Sequence, residues 1–375
     1  MTKKKKCMII GIAILIICFL SAGIFCFAQI ITKPEKKVAQ TTPIPVPTTT
    51  PMPTEAPTPT PTIDPTFGKV QSSITGEWIS EKKEAKRPYA VMINNIEYAF
   101  LHQKGTSKAD IIYEALAEGG ITRMMAIFQD PSKVKCIGSV RSARHYYVQF
   151  AKEWNAIYCH FGQTKYATAK IEEIGVNNLS GLSAIGPMVY QRDSSVKAPH
   201  NVFTNGEKLK KGAKKLKYKT KQNHNKMAEH FRFFEKDTPL KTGKTAQNVI
   251  LPFSTYSTSK LVYNAEKKLY YKYEYGQKHM DTYYNKQLCF KNIIVQLVEE
   301  SNYDKKGYQT MELSNNSGNG YYICNGKMHK IRWTRNESLG KMIYKNSKGN
   351  ILTINPGKTY IAVYPTHRKN EISIK

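Results

Sequence analysis

The chain has 375 residues and a formal net charge of +29, because 57 lysines and arginines stand against 28 acids. This length allows two modest domains plus additional segments, and a hydrophobic content of 41% excludes a wholly disordered protein. So large a positive charge predicts a polyanionic partner, which is nucleic acid, anionic lipid or an anionic wall polymer. The compartment of the protein decides among these three.

The N-terminal segment predicts a membrane anchor. Residues 3–6 are four lysines, and residues 7–28 contain no charged side chain. A stretch of that length spans a bilayer, and the lysines before it stay on the cytoplasmic side. We therefore predict a cytoplasmic tail at 1–6, a single-pass signal-anchor through the lipid bilayer at 7–28, and an extracytoplasmic remainder at the cell membrane. A cleaved signal, with or without lipid on a cysteine, is the alternative.

The segment 32–66 alternates prolines with threonines and contains no glycine. This composition is typical of an extended polyproline-type stalk, which at about 3.1 Å per residue reaches roughly 100 Å. With the globular part outside the cytoplasm, we do not expect nucleic acid as a partner. Anionic wall polymers and lipid head groups remain.

The first globular part, 75–235, is predicted to be a mixed α/β domain. Apolar runs indicate strands at 88–95, 109–116, 121–128 and 154–161, and a helix at 165–174. A tight turn at 118–120 joins the second and third strands into a hairpin. A lysine-rich stretch, 206–236, is predicted to be helical and is either a solvated connector or a contact for a polyanion or membrane surface.

The stretch 137–145 carries two arginines three residues apart. We predict a strand that ends near Ile137, a turn, and a helix with Arg141 and Arg144 on one face of its first turn. Arginine at a helix start opposes the helix dipole. The pair therefore either grips an anionic group or pairs with the acids Glu114 and Glu118.

Several other polar residues follow strand ends or stand in loops, where ligands often bind. The candidate ligand-binding set is Arg123, Arg141, Arg144, Arg192, His160, His200, Gln163, Asn201, Glu114 and Glu118. Arginines of this kind bind phosphate or carboxylate, and a histidine beside them could transfer a proton. The sequence contains no nucleophile motif and no metal-ligand spacing, so we name no catalytic residue, cofactor or metal.

The second part, 240–370, is predicted to be a β-rich domain, because runs of valine, isoleucine and tyrosine alternate with turn signals. His279 and Asp281 are two residues apart and point to one side of a strand. We interpret them as hydrogen-bonding residues at the domain interface and as secondary site candidates. Four cysteines, Cys136, Cys159, Cys289 and Cys324, either form two disulfides or stay as free thiols.

Seven ordered motifs together resemble the YerB-like family of bacterial surface lipoproteins. They are residues 109–114, 118–123, 138–144, 160–162, 199–201, 276–281 and 355–360. The resemblance covers about residues 75–368 and implies a two-part domain of unknown function with no established reaction. Members are often lipid-anchored, whereas this chain lacks a clear lipid-attachment context around its N-terminal cysteines.

Together these patterns predict an α+β, membrane-anchored envelope protein that binds an anionic ligand through its arginine and histidine residues. The alternative is an envelope hydrolase or transferase acting on a phosphorylated or carboxylated substrate, with His160 or His200 as the acid or base. In a third interpretation, the arginines only lock the two domains together.

Overall fold

A computed structural model of the protein describes residues 66–336 and 341–375. The predicted tail at 1–6, the signal-anchor at 7–28 and all but the last residue of the stalk at 32–66 lie outside the described residues. Within the described ranges, no helix has both the length and the apolar character that crossing a bilayer requires.

The part of the chain up to residue 233 alternates strands with helices. Its strands are β1 (Val70–Gln71), β2 (Trp78–Ile79), β3 (Tyr89–Asn94), β4 (Ile111–Leu116), β5 (Thr122–Phe128), β6 (Ile137–Gly138), β7 (Ile157–His160), β8 (Asn178–Ser180), β9 (Gln191–Arg192), β10 (Val202–Thr204) and β11 (Arg232–Phe233). Its α-helices are α1 (Glu81–Glu84), α2 (Glu97–Phe100), α3 (His145–Glu153), α4 (Lys165–Glu173), α5 (Gly186–Val189) and α6 (Gly206–Lys215). Short 3-10 helices occupy Thr106–Lys108, Glu118–Gly120, Pro131–Lys133 and His224–Lys226.

The described residues after 233 form strands and one 3-10 helix, Thr366–Glu371. The strands are β12 (Lys244–Thr245), β13 (Asn248–Pro252), β14 (Thr258–Asn264), β15 (Leu269–Glu274), β16 (Gln277–Lys278), β17 (Met280–Asp281), β18 (Lys286–Gln287), β19 (Cys289–Phe290), β20 (Asn292–Val298), β21 (Glu300–Asn302), β22 (Gln309–Met311), β23 (Ser317–Cys324), β24 (Lys327–Asn336), β25 (Lys341–Asn346), β26 (Thr353–Ile354), β27 (Thr359–Pro365) and β28 (Ser373–Ile374). The predicted α+β class, with a mixed first part and a β-rich second part, is confirmed.

One eleven-stranded sheet contains strands from both parts of the chain. Its order is β12-β24-β23-β20-β27-β4-β5-β3-β7-β8, with β25 paired to β24. The late strand β27 lies parallel to β4 on one side and to β20 on the other. The central strands β4, β5, β20 and β27 are buried at every residue, in keeping with their mostly apolar sequences.

Helix α3 packs on the main sheet through aromatic side chains. The Tyr113 ring on β4 stacks on Phe150 with 4.7 Å between ring centroids, and its hydroxyl accepts a hydrogen bond from Trp154 Nε1 at 2.9 Å. The hydroxyl of Tyr147 accepts from the backbone N–H of Ala115 at 3.0 Å. These contacts hold α3 against β4.

A second, six-stranded sheet, β16-β15-β14-β13-β28 with β19 on β15, meets the main sheet through a buried charged network. Its centre is Lys272 on β15, whose Nζ lies 3.1 Å from Glu114 Oε2 on β4 and also contacts Glu274. Glu114 accepts a further hydrogen bond from Tyr360 of β27 at 2.7 Å. His279 contacts Lys272 through Nδ1 at 3.2 Å. All of these side chains are excluded from water.

The lysine-rich stretch 206–236 is helical only in α6 and in the short 3-10 helix His224–Lys226, so its predicted helical extent was wrong. Lys217 has a left-handed φ of 55°, which ends the helix. Beyond it, Lys221 pairs with Lys86 in an antiparallel bridge, and the backbone N–H of Arg87 donates to Thr220 O at 2.8 Å. Pairing with a remote segment therefore replaces helical hydrogen bonds.

We expect Lys272→Met to lower the free energy of unfolding by about 3–5 kcal/mol, because it leaves two buried carboxylates without their cation. Equilibrium denaturation measures this loss. The control is Lys260→Met on the neighbouring strand β14, where the lysine is exposed. Equal stability of the two variants would contradict the role assigned to the network.

The stability of the protein should fall on acidification in part through His279. Burial and the charge of Lys272 lower the pKa of His279 from its ordinary 6.5 to about 4. Between these pH values the unfolded chain binds the extra proton, so the free energy of unfolding falls as pH falls. From pH 7 to pH 5 we expect the wild type to lose about 2 kcal/mol more than His279→Gln.

Denaturant titrations of the wild type and of His279→Gln, each at both pH values, measure this difference. Burial and the charge of Glu274 raise the pKa of Glu114. Protonation of Glu114 therefore raises the free energy of unfolding as pH falls, and it does so in the wild type and in His279→Gln alike. An equal loss of stability in the wild type and in His279→Gln would show that His279 is not the titrating group.

Candidate functional site

The segment 138–144 inserts between two parallel strands at their carboxyl ends. Strands β3 and β7 pair only as far as Val91 and Cys159. Beyond that point, Arg141 N donates to Met92 O at 3.1 Å, and Phe161 N donates to Arg141 O at 3.1 Å. In α/β sheets, ligands bind outside the carboxyl ends of strands where neighbouring strands diverge.

A glycine permits this insertion. Gly162 accepts a hydrogen bond from Ala143 N at 3.0 Å and has a φ of 87°. A Cβ at this position would lie 2.7 Å from Ser142 Oγ. A larger residue would therefore push the segment out of the sheet.

The prediction that Arg141 and Arg144 lie in the first turn of a helix was wrong. Helix α3 begins at His145, and Arg144 precedes it as the N-cap with an extended backbone (φ −128°, ψ 149°). Arg141 belongs to the inserted segment, where its backbone N–H and C=O bond to the strands on either side. Hydrogen bonding across the sheet keeps this segment extended up to Arg144.

Arg144 and Arg123 share one carboxylate. Arg144 donates from Nε and Nη2 to the two oxygens of Glu118 at 2.6 and 2.5 Å. Arg123 donates from Nη1 to Ser142 O at 2.7 Å, and its Nη2 lies 3.9 Å from Glu118. Burial disfavours the charge of Glu118, yet the hydrogen bonds and charge of Arg144 hold its pKa below the usual range. Arg144 is therefore already paired.

Arg141 is half-buried, and its side chain makes no hydrogen bond or ion pair with any described residue. Burial and the nearby charge of Arg144 lower its pKa. Burial and the charge of Arg144 also lower the pKa of Arg123 to about 10, and Arg123 Nε is buried without an acceptor among the described residues. We call Arg123, Arg141, Arg144 and Glu118 the arginine cluster; it carries an excess of two positive charges.

His200 borders the arginine cluster from the opposite loop. Its Nδ1 lies 2.7 Å from the Asn94 side-chain amide at the end of β3, and its backbone carbonyl accepts from Ser139 Oγ at 2.5 Å. Partial burial and the charge of Arg141 lower the pKa of His200. Both effects favour the neutral imidazole, and the Asn94 amide holds the ring in place.

Arg192 and Asn201 lie beside this loop. Arg192 Nη1 donates to Asn201 Oδ1 at 2.7 Å, and its guanidinium lies 4.9 Å from the centroid of the Phe161 ring. Both partners are neutral, and the side chain of Arg192 is exposed. It adds positive charge next to the strand end that carries Phe161.

His160 and Gln163 hold the strand end together from within the protein. His160 is fully buried, with Nδ1 2.9 Å from Gly162 O and Nε2 3.2 Å from Asn178 Oδ1. Burial lowers its pKa. Gln163 Oε1 accepts from Ser180 Oγ at 3.1 Å. The structure gives both nitrogens of His160 a partner inside the protein.

Glu114, His279 and Asp281 lie away from the arginine cluster and join the two parts of the chain. Glu114 belongs to the buried network. His279 Nε2 lies 2.7 Å from Gln103 Oε1. Asp281 accepts from the backbone N–H and the hydroxyl of Ser107 at 3.0 and 2.7 Å. Both residues therefore hydrogen-bond to the first part of the chain.

Sequence reasoning missed Lys272 and Glu274 at the centre of the network. The signal was the alternation of β15, which places both residues on the same buried face as Tyr270. It also missed Asn94, which orients His200. Among the described residues, no group of three or more histidines, cysteines, aspartates and glutamates could hold a metal ion. The four cysteines, Cys136, Cys159, Cys289 and Cys324, are free thiols.

Comparison with known proteins identifies the family. Residues 74–219 match the N-terminal domain, and residues 249–361 the C-terminal domain, of the family described as "Protein of unknown function (DUF3048)". The chain is 32% identical over 305 residues to "Putative lipoprotein YerB" of Bacillus subtilis (strain 168), covering 80% of this chain and 88% of that relative.

The fold is also similar to the crystal structure of the YerB protein from Bacillus subtilis. The TM-score is 0.72 with 28% sequence identity, over 82% of this chain and 100% of the other. The resemblance to the YerB-like family is thereby confirmed. The chain belongs to the DUF3048 family of proteins of unknown function and contains both of its domains.

Proposed function

We propose that this protein binds a phosphate or carboxylate group of an envelope component at Arg141, on the outer side of a bacterial cell membrane. The observation that carries the proposal is the half-buried guanidinium of Arg141, which has no partner among the described residues. A guanidinium offers five N–H donors. Removing such a charge from water without a partner is costly, and an anion bound there would offset that cost.

The groups around Arg141 are held in place before any ligand arrives. Glu118 fixes Arg144 through two hydrogen bonds, and Asn94 fixes His200. The backbone of Arg141 is bonded on both sides. Because little conformational freedom is left to lose, a ligand would bind with a small ordering cost.

The charge of the cluster favours an anion, and its chemistry favours a planar or tetrahedral oxyanion. One carboxylate, Glu118, pairs with Arg144 and lies near Arg123, whereas the charged neighbour of Arg141 is Arg144. The planar fork of arginine matches the paired oxygens of carboxylate and phosphate. The exposed Arg192 beside Phe161 adds to the local positive potential.

The proposed location rests on the relative and on the N-terminal sequence. The name of the Bacillus subtilis relative describes a lipoprotein, and lipid-modified proteins are attached to membranes. In this chain, residues 3–6 and 7–28 carry the pattern of a basic tail followed by an apolar stretch. A tether followed by the proline-rich segment 32–66 would hold the arginine cluster away from the bilayer and near wall components.

We expect Arg141→Gln to weaken binding of an anion about tenfold or more, because a charge-assisted hydrogen bond contributes about 1.5–3 kcal/mol. The probes are inorganic phosphate, glycerol phosphate and a muropeptide carrying free carboxylates. Thermal shift identifies the probe that stabilises the wild type, and calorimetry gives its dissociation constant in both chains.

The control is Arg332→Gln, which removes an exposed arginine from β24. Without added anion, Arg141→Gln should melt at the wild-type temperature, since the side chain has no internal partner. If instead Arg141→Gln melts lower and no probe stabilises the wild type, the arginine cluster is architectural and the proposal fails.

A further inference from the structure

A basic cleft lies between helix α6 and the start of strand β3. It consists of three cavities of about 760, 760 and 360 Å³ that share lining residues, among them Lys217 and Tyr218. Ten lysines and arginines and two acids line them. The basic residues are Lys86, Arg87, Lys152, Lys210, Lys211, Lys214, Lys217, Lys219, Lys221 and Lys226. We call this feature the lysine cleft.

Both acids of the lysine cleft are already paired. Asp130 binds Lys86 at 2.5 Å, and Glu207 binds Lys211 at 2.8 Å. Within the part of the chain that the structure describes, six lysines of the cleft have no acidic partner: Lys210, Lys214, Lys217, Lys219, Lys221 and Lys226. Their charges remain uncompensated, although they repel one another.

The local fold leaves these lysines exposed: two lie on helix α6, Lys210 and Lys214, and four follow it, Lys217, Lys219, Lys221 and Lys226. The N-cap of α6 is Asn205, whose side chain accepts from Lys208 N at 2.8 Å. Its buried residues, Leu209, Gly212 and Ala213, follow helical spacing. Gly212 lies so close to Val189 that a Cβ would come within 2.5 Å of it. The lysines occupy the remaining, solvent-facing side.

Two almost fully buried residues, Arg87 and Tyr89, form the deep part of the cleft. Arg87 is 9% exposed and donates only to neutral oxygens, among them Asn155 O at 2.6 Å and Asn177 Oδ1 at 2.7 Å. Tyr89 is 4% exposed, and its buried hydroxyl has no hydrogen-bond partner among the described residues. An unpartnered buried hydroxyl costs free energy, and a ligand oxygen that accepts a hydrogen bond from it would offset that cost.

We propose that the lysine cleft binds a segment of a linear polymer that carries phosphate groups along its backbone. Lysines bind phosphate as mobile point charges, and a row of them neutralises successive phosphates with release of counterions. This proposal does not rest on the arginine cluster. Tyr89 and Asn94 are the two ends of β3, so the two sites lie roughly 17 Å apart at about 3.3 Å per residue.

The shape of the cleft favours a polymer over a bilayer surface. A flat array of anionic head groups would reach the exposed lysines of α6. It would not reach Arg87 and Tyr89, which lie below them and are almost fully covered. A flexible chain can enter the cleft and contact both levels.

The test uses the full chain, purified in non-ionic detergent, and fluorescent inorganic polyphosphate. The cleft variant is Lys210→Gln/Lys214→Gln/Lys219→Gln, and the matched control is Lys260→Gln/Lys330→Gln/Lys348→Gln, three exposed lysines elsewhere. Anisotropy titrations should show binding roughly tenfold weaker in the cleft variant at low salt. The slope of log affinity against log salt should fall by about 2. The control variant should stay within about twofold of the wild type.

Three results would overturn the proposal. The first is a polyphosphate affinity of the cleft variant equal to that of the wild type. The second is an equal loss of polyphosphate affinity in the control variant, which would indicate a general effect of net charge. The third comes from co-sedimentation with phosphatidylglycerol–phosphatidylcholine vesicles. All variants share the same N-terminal segment, so a loss of vesicle binding confined to the cleft variant, with polyphosphate affinity unchanged, would assign the lysines to a membrane.

Tyr89→Phe tests the deep part of the cleft without a change of charge. We expect about fivefold weaker polyphosphate binding, because one hydrogen bond is lost. The melting temperature should stay the same or rise, since the hydroxyl has no internal partner. Unchanged affinity would overturn the contact assigned to this hydroxyl.

Discussion

The fold depends on the pairing of Lys272 with two buried carboxylates. Lys272 contacts Glu114 of the main sheet and Glu274 of its own strand, and no water reaches any of the three. A slip of β15 by one residue would turn Lys272 and Glu274 outward together and leave Glu114 buried without a cation. The network thus selects one register for both sheets. That register also positions β4, its neighbour β5, which carries Arg123, and the turn between them, which carries Glu118.

The arginine cluster follows from an interruption of the sheet. Strands β3 and β7 diverge after three pairs, and the inserted segment satisfies the backbone groups that the divergence leaves open. The segment is short and its backbone is hydrogen-bonded on both sides, so the directions of its side chains are restricted. One of them, Arg141, remains next to two other guanidinium groups although like charges repel. The rigidity of the sheet holds this unfavourable arrangement in place.

Patterns that are local in sequence were predicted well, and contacts between remote segments were not. The hairpin of β4 and β5 was foreseen because two apolar runs flank Glu118–Gly120. The extended conformation of Arg141 depends on Met92 and Phe161, which no local pattern reveals. His160 stands at a strand end, as expected. The sequence did not show that Asn178 and Gly162 would occupy both of its nitrogens.

The position of β27 in the main sheet determines at what stage of synthesis the sheet can be completed. This strand, Thr359–Pro365, completes a sheet between β4 and β20, strands that leave the ribosome much earlier. Until it arrives, β4 has an open edge of unpaired backbone groups. A nascent chain that stops before residue 359 therefore cannot close its core and is exposed to proteases and aggregation. Completion of synthesis becomes a condition for folding, which excludes truncated products from the mature population.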